Sequence, residues 1–229
     1  MGTLYLVSTP IGNLEDITLR AKRILSEVDI IASEDTRKTG SLLNKIDKVS
    51  PCQEKPRLIS YYEENELKRI PQIIRFLKEG KNVALVSNAG TPTISDPGFK
   101  LVRECIKEKI KVESVLGASA ILTALVSSGL PTDKFLFLGY LPKKQGKRKK
   151  ILSSLPTKTT IIFFESPYRL LKSLKEIKDI FDDIEIVICR ELTKVHEEIR
   201  REKISQSIKY FEKIKPIGEF TLLFRILLE

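Results

Sequence analysis

The stretch from Val83 to Lys109 reads VALVSNAGTPTISDPGFKLVRECIKEK and contains the unit that repeats along this chain. Its first residues, VALVS, predict a buried strand, and apolar residues at helical spacing predict a helix over Phe99–Lys109. Between them, Asn88–Gly98 has two glycines and two prolines, which predicts a preshaped loop whose backbone can closely approach a ligand. Asp96 is placed to cap the helix that follows. Ligand binding and simple helix capping are both open for this loop.

Strands and helices alternate in the same way on both sides of this unit. Five strands are predicted in the first half, at Thr3–Val7, Asp29–Ser33, Leu58–Tyr61, Val83–Ser87 and Val112–Leu116. The short connections favour a parallel α/β sheet covered on both faces. The second half begins with an apolar helix, Ala118–Leu130, and its strands are predicted at Phe135–Gly139, Thr160–Glu165, Glu185–Arg190 and Phe220–Leu227, with further antiparallel pairing open to Leu192–Glu202. We therefore predict an α/β protein of two α/β domains, residues 1–116 and 117–229.

Composition excludes several classes of protein. The chain has 229 residues, 41% of them hydrophobic and 31% charged, so it can bury a large core and is not intrinsically disordered. No stretch approaches the roughly 20 apolar residues that cross a bilayer, and the N-terminus opens directly into a strand, so we expect a cytoplasmic protein without a membrane anchor. Three distant cysteines without CxxC spacing argue against disulfides and structural zinc, and the single histidine, His196, excludes a multi-histidine metal centre.

The balance of charge is strongly basic. Forty Lys and Arg residues stand against thirty Asp and Glu, a net charge of +10, which suits RNA or another polyanion. An even scatter of lysines over the surface explains the same total. The densest run, KKQGKRKK at Lys143–Lys150, offers candidate phosphate contacts at Lys143, Lys144, Lys147 and Arg148. A solvated start of a helix is the alternative for this run.

Further loops follow predicted strands, where open parallel sheets bind their ligands. Thr9–Asn13 has one glycine and is not G-x-G-x-x-G, so it lacks the dinucleotide-binding fingerprint. Glu34 and Asp35 follow the second strand, where a ribose-binding acid lies in nucleotide-binding sheets, although they could equally cap a helix. Gly117-Ala118-Ser119 is a corner of small residues that admits a ligand or a packed helix. Glu165 ends a strand as a ligand acceptor or as a cap.

Taken together and in order, these segments resemble the ribosomal small-subunit methyltransferase I family of the tetrapyrrole methylase-like (class III) methyltransferases. The resemblance runs nearly from end to end, in GTLYLVSTPIGN (2–13), LEDITLR (14–20), ASEDTR (32–37), SNAGTPTISDPG (87–98), GAS (117–119), FFESPYRL (163–170), RELTKVHEE (190–198) and GEF (218–220). Asn88 stands where this family usually has Asp.

The resemblance implies two α/β domains, a homodimer, and S-adenosylmethionine bound in a cleft between the domains. It implies methyl transfer to the 2′-hydroxyl of a cytidine in the decoding region of 16S rRNA, with the rRNA or the assembled small ribosomal subunit as partner. Residue by residue, it assigns the cofactor to Ala89, Gly90, Thr91, Pro92, Ile94, Gly117, Ala118, Ser119, Phe164, Glu165, Glu219 and Phe220. It assigns the RNA side to Pro10, Gly12, Asn13, Arg20 and Arg37, besides the cations of the basic run.

The expected reaction needs a group that helps to remove a hydroxyl proton, because a ribose hydroxyl does not ionise at neutral pH. Glu34 and Asp35 are the catalytic candidates, and Arg37 could hold a phosphate. Three alternatives stay open on sequence: a methylase of the same fold acting on a small molecule such as a tetrapyrrole, an RNA-binding relative without catalysis, and a nicotinamide-linked oxidoreductase. The basic surplus argues against the first and the missing glycine fingerprint against the third.

Overall fold

The structure, a computed structural model, describes residues 1–46 and 55–226. These residues form two compact units that divide between Ser119 and Ala120. The small-residue corner Gly117-Ala118-Ser119 belongs to the first unit, whereas the predicted domain boundary lies before it. Cys52, most of the predicted loop 47–56 and the predicted end of the last strand at Leu227 lie outside the described residues.

The first unit is a parallel sheet of five strands with the order β3-β2-β4-β1-β5. Its strands are β1 (Thr3–Val7), β2 (Ile30–Ser33), β3 (Arg57–Ser60), β4 (Val83–Val86) and β5 (Lys111–Val115). Its helices are α1 (Leu19–Glu27), α2 (Thr36–Ile46), α3 (Glu66–Lys78) and α4 (Phe99–Lys107). Thr18 caps α1 by accepting a hydrogen bond from the Ala21 N–H at 3.0 Å. The predicted parallel arrangement of this half is confirmed.

The alternation of side chains along the strands builds a core on each face of this sheet. Ile30 and Leu85 pack on the face that α3 and α4 cover, and Ile31 and Val86 pack on the opposite face with residues of α1. Each such side chain contributes about 1.5–3 kcal/mol when fully buried. Burial on both faces leaves the ends of the strands as the part of the sheet that is open to ligands.

The second unit is a mixed sheet with the strand order β6-β7-β10-β8-β9. Its strands are β6 (Phe135–Tyr140), β7 (Thr160–Glu165), β8 (Glu185–Arg190), β9 (Glu198–Lys203) and β10 (Phe220–Arg225). Its helices are α5 (Ala120–Ser128), α6 (Gln145–Leu152), α7 (Leu170–Phe181) and α8 (Ile204–Lys213).

Antiparallel pairing dominates this second sheet. Among its described strands, β6 and β7 alone run parallel, and β10 pairs antiparallel with both β7 and β8. β9 also pairs antiparallel with β8, so the pairing left open for Leu192–Glu202 is present at Glu198–Lys203, because the loop between these strands is too short for a parallel crossover. No helix within residues 1–46 and 55–226 is long and apolar enough to cross a bilayer.

Candidate functional site

The loops that follow β1, β4 and β5 are tied together at the carboxyl ends of their strands. Thr9 and Gly90 form a two-way backbone bridge, with N···O distances of 2.9 and 3.0 Å. The hydroxyl groups of Ser8 and Thr91 lie 3.0 Å apart, and Thr91 Oγ1 lies 3.4 Å from the Ala118 carbonyl oxygen. The structure therefore brings together three loops that lie far apart in the sequence.

Gly117 marks the closest approach between two of these loops. A Cβ atom at this position would lie 2.8 Å from the Ser8 Cβ, so no larger residue fits without a shift of the backbone. The peptide nevertheless faces outward, because Gly117 and Ala89 are both exposed. Ile94 and Leu116 add exposed apolar side chains nearby in sequence. Exposed backbone flanked by small and apolar residues fits a ligand that combines polar and apolar parts, as S-adenosylmethionine does.

The loop after β4 has unusual backbone geometry. Thr93 and Ser95 have φ values of 75° and 61°, in the left-handed region that L-residues rarely occupy. Gly98 has a φ of 136°, and a Cβ there would lie 2.6 Å from a methyl carbon of Leu85. Each left-handed non-glycine residue costs on the order of 1–3 kcal/mol, which the surrounding structure must offset. Such strain is concentrated at functional sites in proteins, which supports a binding role for this loop.

A second cluster lies at the ends of β2, β3 and β4. Glu34, Asp35, Arg37 and Asn88 line a cavity of about 460 Å³, with Thr36, Ser60, Tyr62 and Glu64. Because β4 is the central strand, its loop contributes both to this cavity and to the bridge with the β1 loop. The candidate catalytic residues and Asn88 thus share one cavity, which the linear sequence did not indicate.

Asp35 is the most heavily bonded carboxylate of that cavity. Its Oδ1 accepts hydrogen bonds from the backbone N–H of Arg37 at 2.9 Å and from Arg37 Nε at 3.2 Å. Arg37 Nη2 donates to the other oxygen at 3.1 Å. These bonds, the side-chain bond first, hold the pKa of Asp35 below its usual value. Asp35 therefore caps α2 and orients Arg37, the capping alternative that the sequence left open.

Asp96 does not cap α4, contrary to the prediction. The cap position is Gly98, which makes no side-chain hydrogen bond to the start of this helix. Burial raises the pKa of Asp96 to about 6, against a hydrogen bond with Ser87 that lowers it, and the nearby charge of Glu34 raises it further. Sequence reasoning missed this residue because Asp two positions before a glycine also has the pattern of a cap.

In the second unit, the carboxylate of Glu165 is bonded within its own unit. Its Oε1 accepts from the Ser166 N–H and from Arg169 Nη2, both at 2.8 Å, and its Oε2 accepts from Ser173 Oγ. The carboxylate therefore ties the end of β7 to side chains of α7 and its cap residue, but it does not cap this helix, whose cap position is Arg169. Phe164 is half-buried and makes an edge-to-face contact with Phe137, with ring centroids 5.0 Å apart.

The two remaining cofactor candidates differ in accessibility. Phe220 is buried in the core of the second sheet, where its ring packs against Phe211 at 5.8 Å. Its side chain is therefore a core residue, and only its backbone could contact a ligand. Glu219 is exposed, and its carboxylate pairs with Lys194 at 2.9 Å. Lys194 pairs at the same distance with Glu191, so the two glutamates share one cation.

The structure corrects the role of Arg148. Its side chain is 2% exposed, and it forms a two-pronged ion pair with Glu176 of α7, with Nη2 lying 2.6 Å from Oε1. Nη1 also donates to the carbonyls of Pro142 and Lys143, at 2.8 and 3.1 Å. A guanidinium buried in this way is not available to a phosphate. The other cations of the run are exposed: Lys143, Lys144, Lys147, Lys149 and Lys150.

The remaining candidates of the RNA side lie around the β1 loop and α1. Gly12 and Asn13 are exposed and Pro10 is half-buried, and Asn13 Oδ1 accepts from the Glu15 N–H at 3.0 Å. Arg20 is ion-paired with Glu113 of β5. His196 is exposed in the loop between β8 and β9. In the part of the chain that the structure describes, no three His, Cys, Asp or Glu residues are grouped to hold a metal ion.

Comparison with known proteins gives a match over most of the chain. Residues 3–207 match the family model of tetrapyrrole (corrin/porphyrin) methylases. The "Ribosomal RNA small subunit methyltransferase I" of Thermotoga maritima is 50% identical over 97% of this chain and 98% of its own length. That of Halalkalibacterium halodurans is 47% identical over 97% of this chain and 75% of its own. The solved structure of uroporphyrin-III C-methyltransferase from Thermus thermophilus complexed with S-adenosylhomocysteine has a TM-score of 0.65 at 17% identity, covering 98% of both chains. The chain belongs to the tetrapyrrole methylase family and, within it, to the ribosomal RNA small subunit methyltransferase I family.

Proposed function

We propose that this protein transfers the methyl group of S-adenosylmethionine to the 2′-hydroxyl of a cytidine in the decoding region of 16S rRNA. The observation that carries the proposal is the 50% identity over 97% of the chain with a relative named for methylation of small-subunit rRNA. The loops tied together after β1, β4 and β5 support it, because Ala89 and Gly117 are exposed there, whereas Gly90 and Pro92 are buried beneath them.

In this proposal, the cofactor contacts the Ala89–Pro92 segment, Ile94 and the Gly117–Ser119 corner of the first unit. When bound, it supplies a methyl group that is activated by a sulfonium and needs no further activation by the protein. Phe164 and Glu219 of the second unit are further contacts, whereas Glu165 and Phe220 contribute through backbone groups, since their side chains are bonded or buried. The protein's work is to align the ribose oxygen and to receive its proton.

The RNA side of the proposal uses the cavity of Glu34 and Arg37 together with the basic run. Glu34 lines the cavity and is the carboxylate we assign to the ribose hydroxyl, while Asp35 acts through Arg37. The exposed lysines from Lys143 to Lys150 supply phosphate contacts. We also propose a cytoplasmic homodimer, since Val126 of α5 and Phe135 of β6 leave apolar side chains 74% and 44% exposed.

The decisive experiment uses labelled S-adenosylmethionine and small ribosomal subunits that lack their modifications. After transfer, the RNA is digested to nucleosides, and label in 2′-O-methylcytidine confirms the reaction. Label in another nucleoside refutes the cytidine assignment. If calorimetry shows cofactor binding but no label reaches the RNA, a small-molecule methylase is favoured. If the protein binds RNA but neither binds the cofactor nor transfers a methyl group, a relative without catalysis is favoured.

Two substitutions test the assigned carboxylates. Glu34→Gln and Asp35→Asn should each lose turnover and keep cofactor binding, because neither side chain lies in the loops assigned to the cofactor. Glu104→Gln, on the exposed pair with Lys107 in α4, is the matched control and should keep full rate. Full rate in both cavity variants would show that these carboxylates take no part in the reaction.

The lysine run is tested by the salt dependence of RNA binding. Changing Lys143, Lys144 and Lys147 together to Ala should lower the slope of log K against log salt by about 2–3, at about 0.7–0.9 per phosphate contact. Lys175→Ala, an exposed lysine of α7 that pairs with Glu212 at 2.6 Å, is the control and should leave the slope unchanged. An equal slope in the triple variant and the control would remove the run from the RNA surface.

A further inference from the structure

Two adjacent tyrosines follow β3, and their surroundings differ. The Tyr61 side chain is buried, and its hydroxyl group donates a hydrogen bond to Glu66 Oε2 at 3.2 Å. Tyr62 is instead 39% exposed and lines the 460 Å³ cavity at the ends of β2, β3 and β4. An aromatic ring in the wall of an otherwise polar cavity gives a flat ligand a surface on which to stack. The proposed function uses the acids of this cavity and leaves Tyr62 without a role.

The chain after β3 presents alternate residues to this cavity from a fixed backbone. The lining includes Ser60, Tyr62 and Glu64, but not Tyr61. Asn65 holds the backbone of Tyr62 on both sides, because its Oδ1 accepts from the Tyr62 N–H at 2.9 Å and its own N–H donates to the Tyr62 carbonyl oxygen at 3.0 Å. A ligand that stacks on a ring carried by a fixed main chain loses little binding free energy to ordering of the protein.

The hydroxyl group of Ser60 is left as a hydrogen-bond donor. Its Oγ accepts from Asn65 Nδ2 at 3.3 Å and from Arg69 Nη2 at 3.1 Å. A serine oxygen has two lone pairs, so both are used by these donors, and the proton has to be given elsewhere. No acceptor for this proton lies within residues 1–46 and 55–226. Ser60 therefore offers one donor to a ligand in the cavity that it lines.

The carboxylates of the cavity supply acceptors. Three of its four charged side chains are acidic, which suits a ligand that donates hydrogen bonds and disfavours a phosphate. Asp35 is already paired with Arg37 at 3.1 Å. Glu34 and Glu64 form no ion pair within the part of the chain that the structure describes. With Glu34 assigned to the ribose hydroxyl, the carboxylate of Glu64 remains for another donor of the same nucleotide.

We propose that Ser60, Tyr62 and Glu64 recognise the base of the target nucleotide and select cytosine over uracil. This proposal rests on the proposed function. Tyr62 stacks on the base, Glu64 accepts from the exocyclic amino group of cytosine, and the Ser60 hydroxyl donates to the ring nitrogen beside that group. Uracil has a carbonyl oxygen in place of the amino group and an N–H in place of the ring nitrogen. It would therefore place an oxygen against a carboxylate and a donor against a donor, which leaves all of these groups unpaired.

The test compares single-turnover methylation of two sets of small ribosomal subunits, reconstituted with cytidine or with uridine at the position that the wild-type protein labels. The wild type should favour cytidine about 5–150-fold, the range given by one well-placed pair of hydrogen bonds to a base. Glu64→Gln should bring the ratio close to one, because a glutamine amide donates to the uracil oxygen as readily as it accepts from the cytosine amino group. Glu63→Gln removes the same charge from the neighbouring exposed residue, which does not line the cavity, and should keep the wild-type ratio.

Stacking is tested separately with the cytidine subunits. Tyr62→Ala should raise the half-saturating concentration of subunits about 5–150-fold, the loss expected when one base–aromatic stack is removed. Tyr62→Phe keeps the ring and should keep the wild-type value. Cofactor binding by calorimetry should be the same in both variants, which a general loss of structure would not allow.

The wild-type ratio needs no variant, so the proposal is falsifiable even where a variant does not fold. Equal wild-type rates on the two sets of subunits, or equal ratios in Glu64→Gln and Glu63→Gln, overturn base selection by this segment. A wild-type half-saturating concentration in Tyr62→Ala overturns the stacking role. A wild type that transfers no methyl group to either set overturns the proposed function itself.

Discussion

The buried ion pair between Arg148 and Glu176 joins α6 to α7, and we expect Glu176→Gln to be among the most destabilising conservative changes in the second unit. The two side chains are 2% and 5% exposed, and Arg148 bonds both carboxylate oxygens besides two backbone carbonyls. Glutamine keeps the shape and removes the charge, which leaves a buried guanidinium without its counter-ion. Breaking a buried pair from one side costs about 3–5 kcal/mol.

Buried thiols make this cost measurable in each unit separately. Burial raises the pKa values of Cys189 in β8 and of Cys105 in α4 to about 12, so both are unreactive until their unit opens. At about 1.4 kcal/mol per factor of ten, Glu176→Gln should speed the labelling of Cys189 roughly 10²–10³·⁵-fold. The rate at Cys105, in the first unit, should stay at its wild-type value. Labelled peptides are assigned by mass spectrometry.

Controls and pH separate the ion pair from other effects of the substitution. Glu212→Gln breaks the ion pair with Lys175, in which the side chains of Lys175 and Glu212 are 55% and 47% exposed. It should lower the free energy of unfolding by at most about 1 kcal/mol. Arg148→Met with Glu176→Leu should recover much of the loss, since no buried charge remains. The hydrogen bond from Arg148 lowers the pKa of Glu176. The stabilisation is therefore complete above the unfolded pKa, near 4.5, and is lost as the pH falls through the lower folded value. A Cys189 rate within threefold of wild type, or an equal rise at Cys105, would refute this reasoning.

Two further changes test the first unit. Gly98→Ala should lower the free energy of unfolding in urea by about 1–3 kcal/mol, because a Cβ would lie 2.6 Å from a Leu85 methyl carbon in a backbone with a φ of 136°. Ser95→Gly is the control and should not destabilise the unit, because it relieves a φ of 61°. Equal losses in the two variants would show that the stability of the loop does not depend on these angles. Arg37→Ala should raise the pKa of Asp35 toward its ordinary value, because the hydrogen bond from the Arg37 side chain is the largest cause of the lowered pKa. The pKa is measured by ¹³C NMR. An unchanged midpoint would mean that backbone hydrogen bonds alone keep the pKa of Asp35 low.

Local sequence patterns were sufficient for most of the elements and for the family. Thr3–Val7 forms the strand that its residue types predict, and Thr18 caps α1 as its residue type favours. Parallel pairing in the first unit follows from its regular alternation of strands and helices, because such crossovers admit few topologies. In the second unit, the insertion of β10 between β7 and β8 was not predictable, since strand order depends on contacts between distant segments.

The placement of charged groups was decided only by the tertiary structure. Arg148 is one of four cations in a basic run that the sequence offers as candidate phosphate contacts, and its partner is Glu176, 28 residues away. Asp96 has the residue type and spacing of a cap, but Gly98 takes the cap position and the Asp96 side chain is half-buried instead. The sequence by itself determined that strands end in polar loops, that the chain is basic, and to which family it belongs. Which of those polar groups are buried, paired or free depends on desolvation and on partners far along the chain, and these exist only once the sheets have formed.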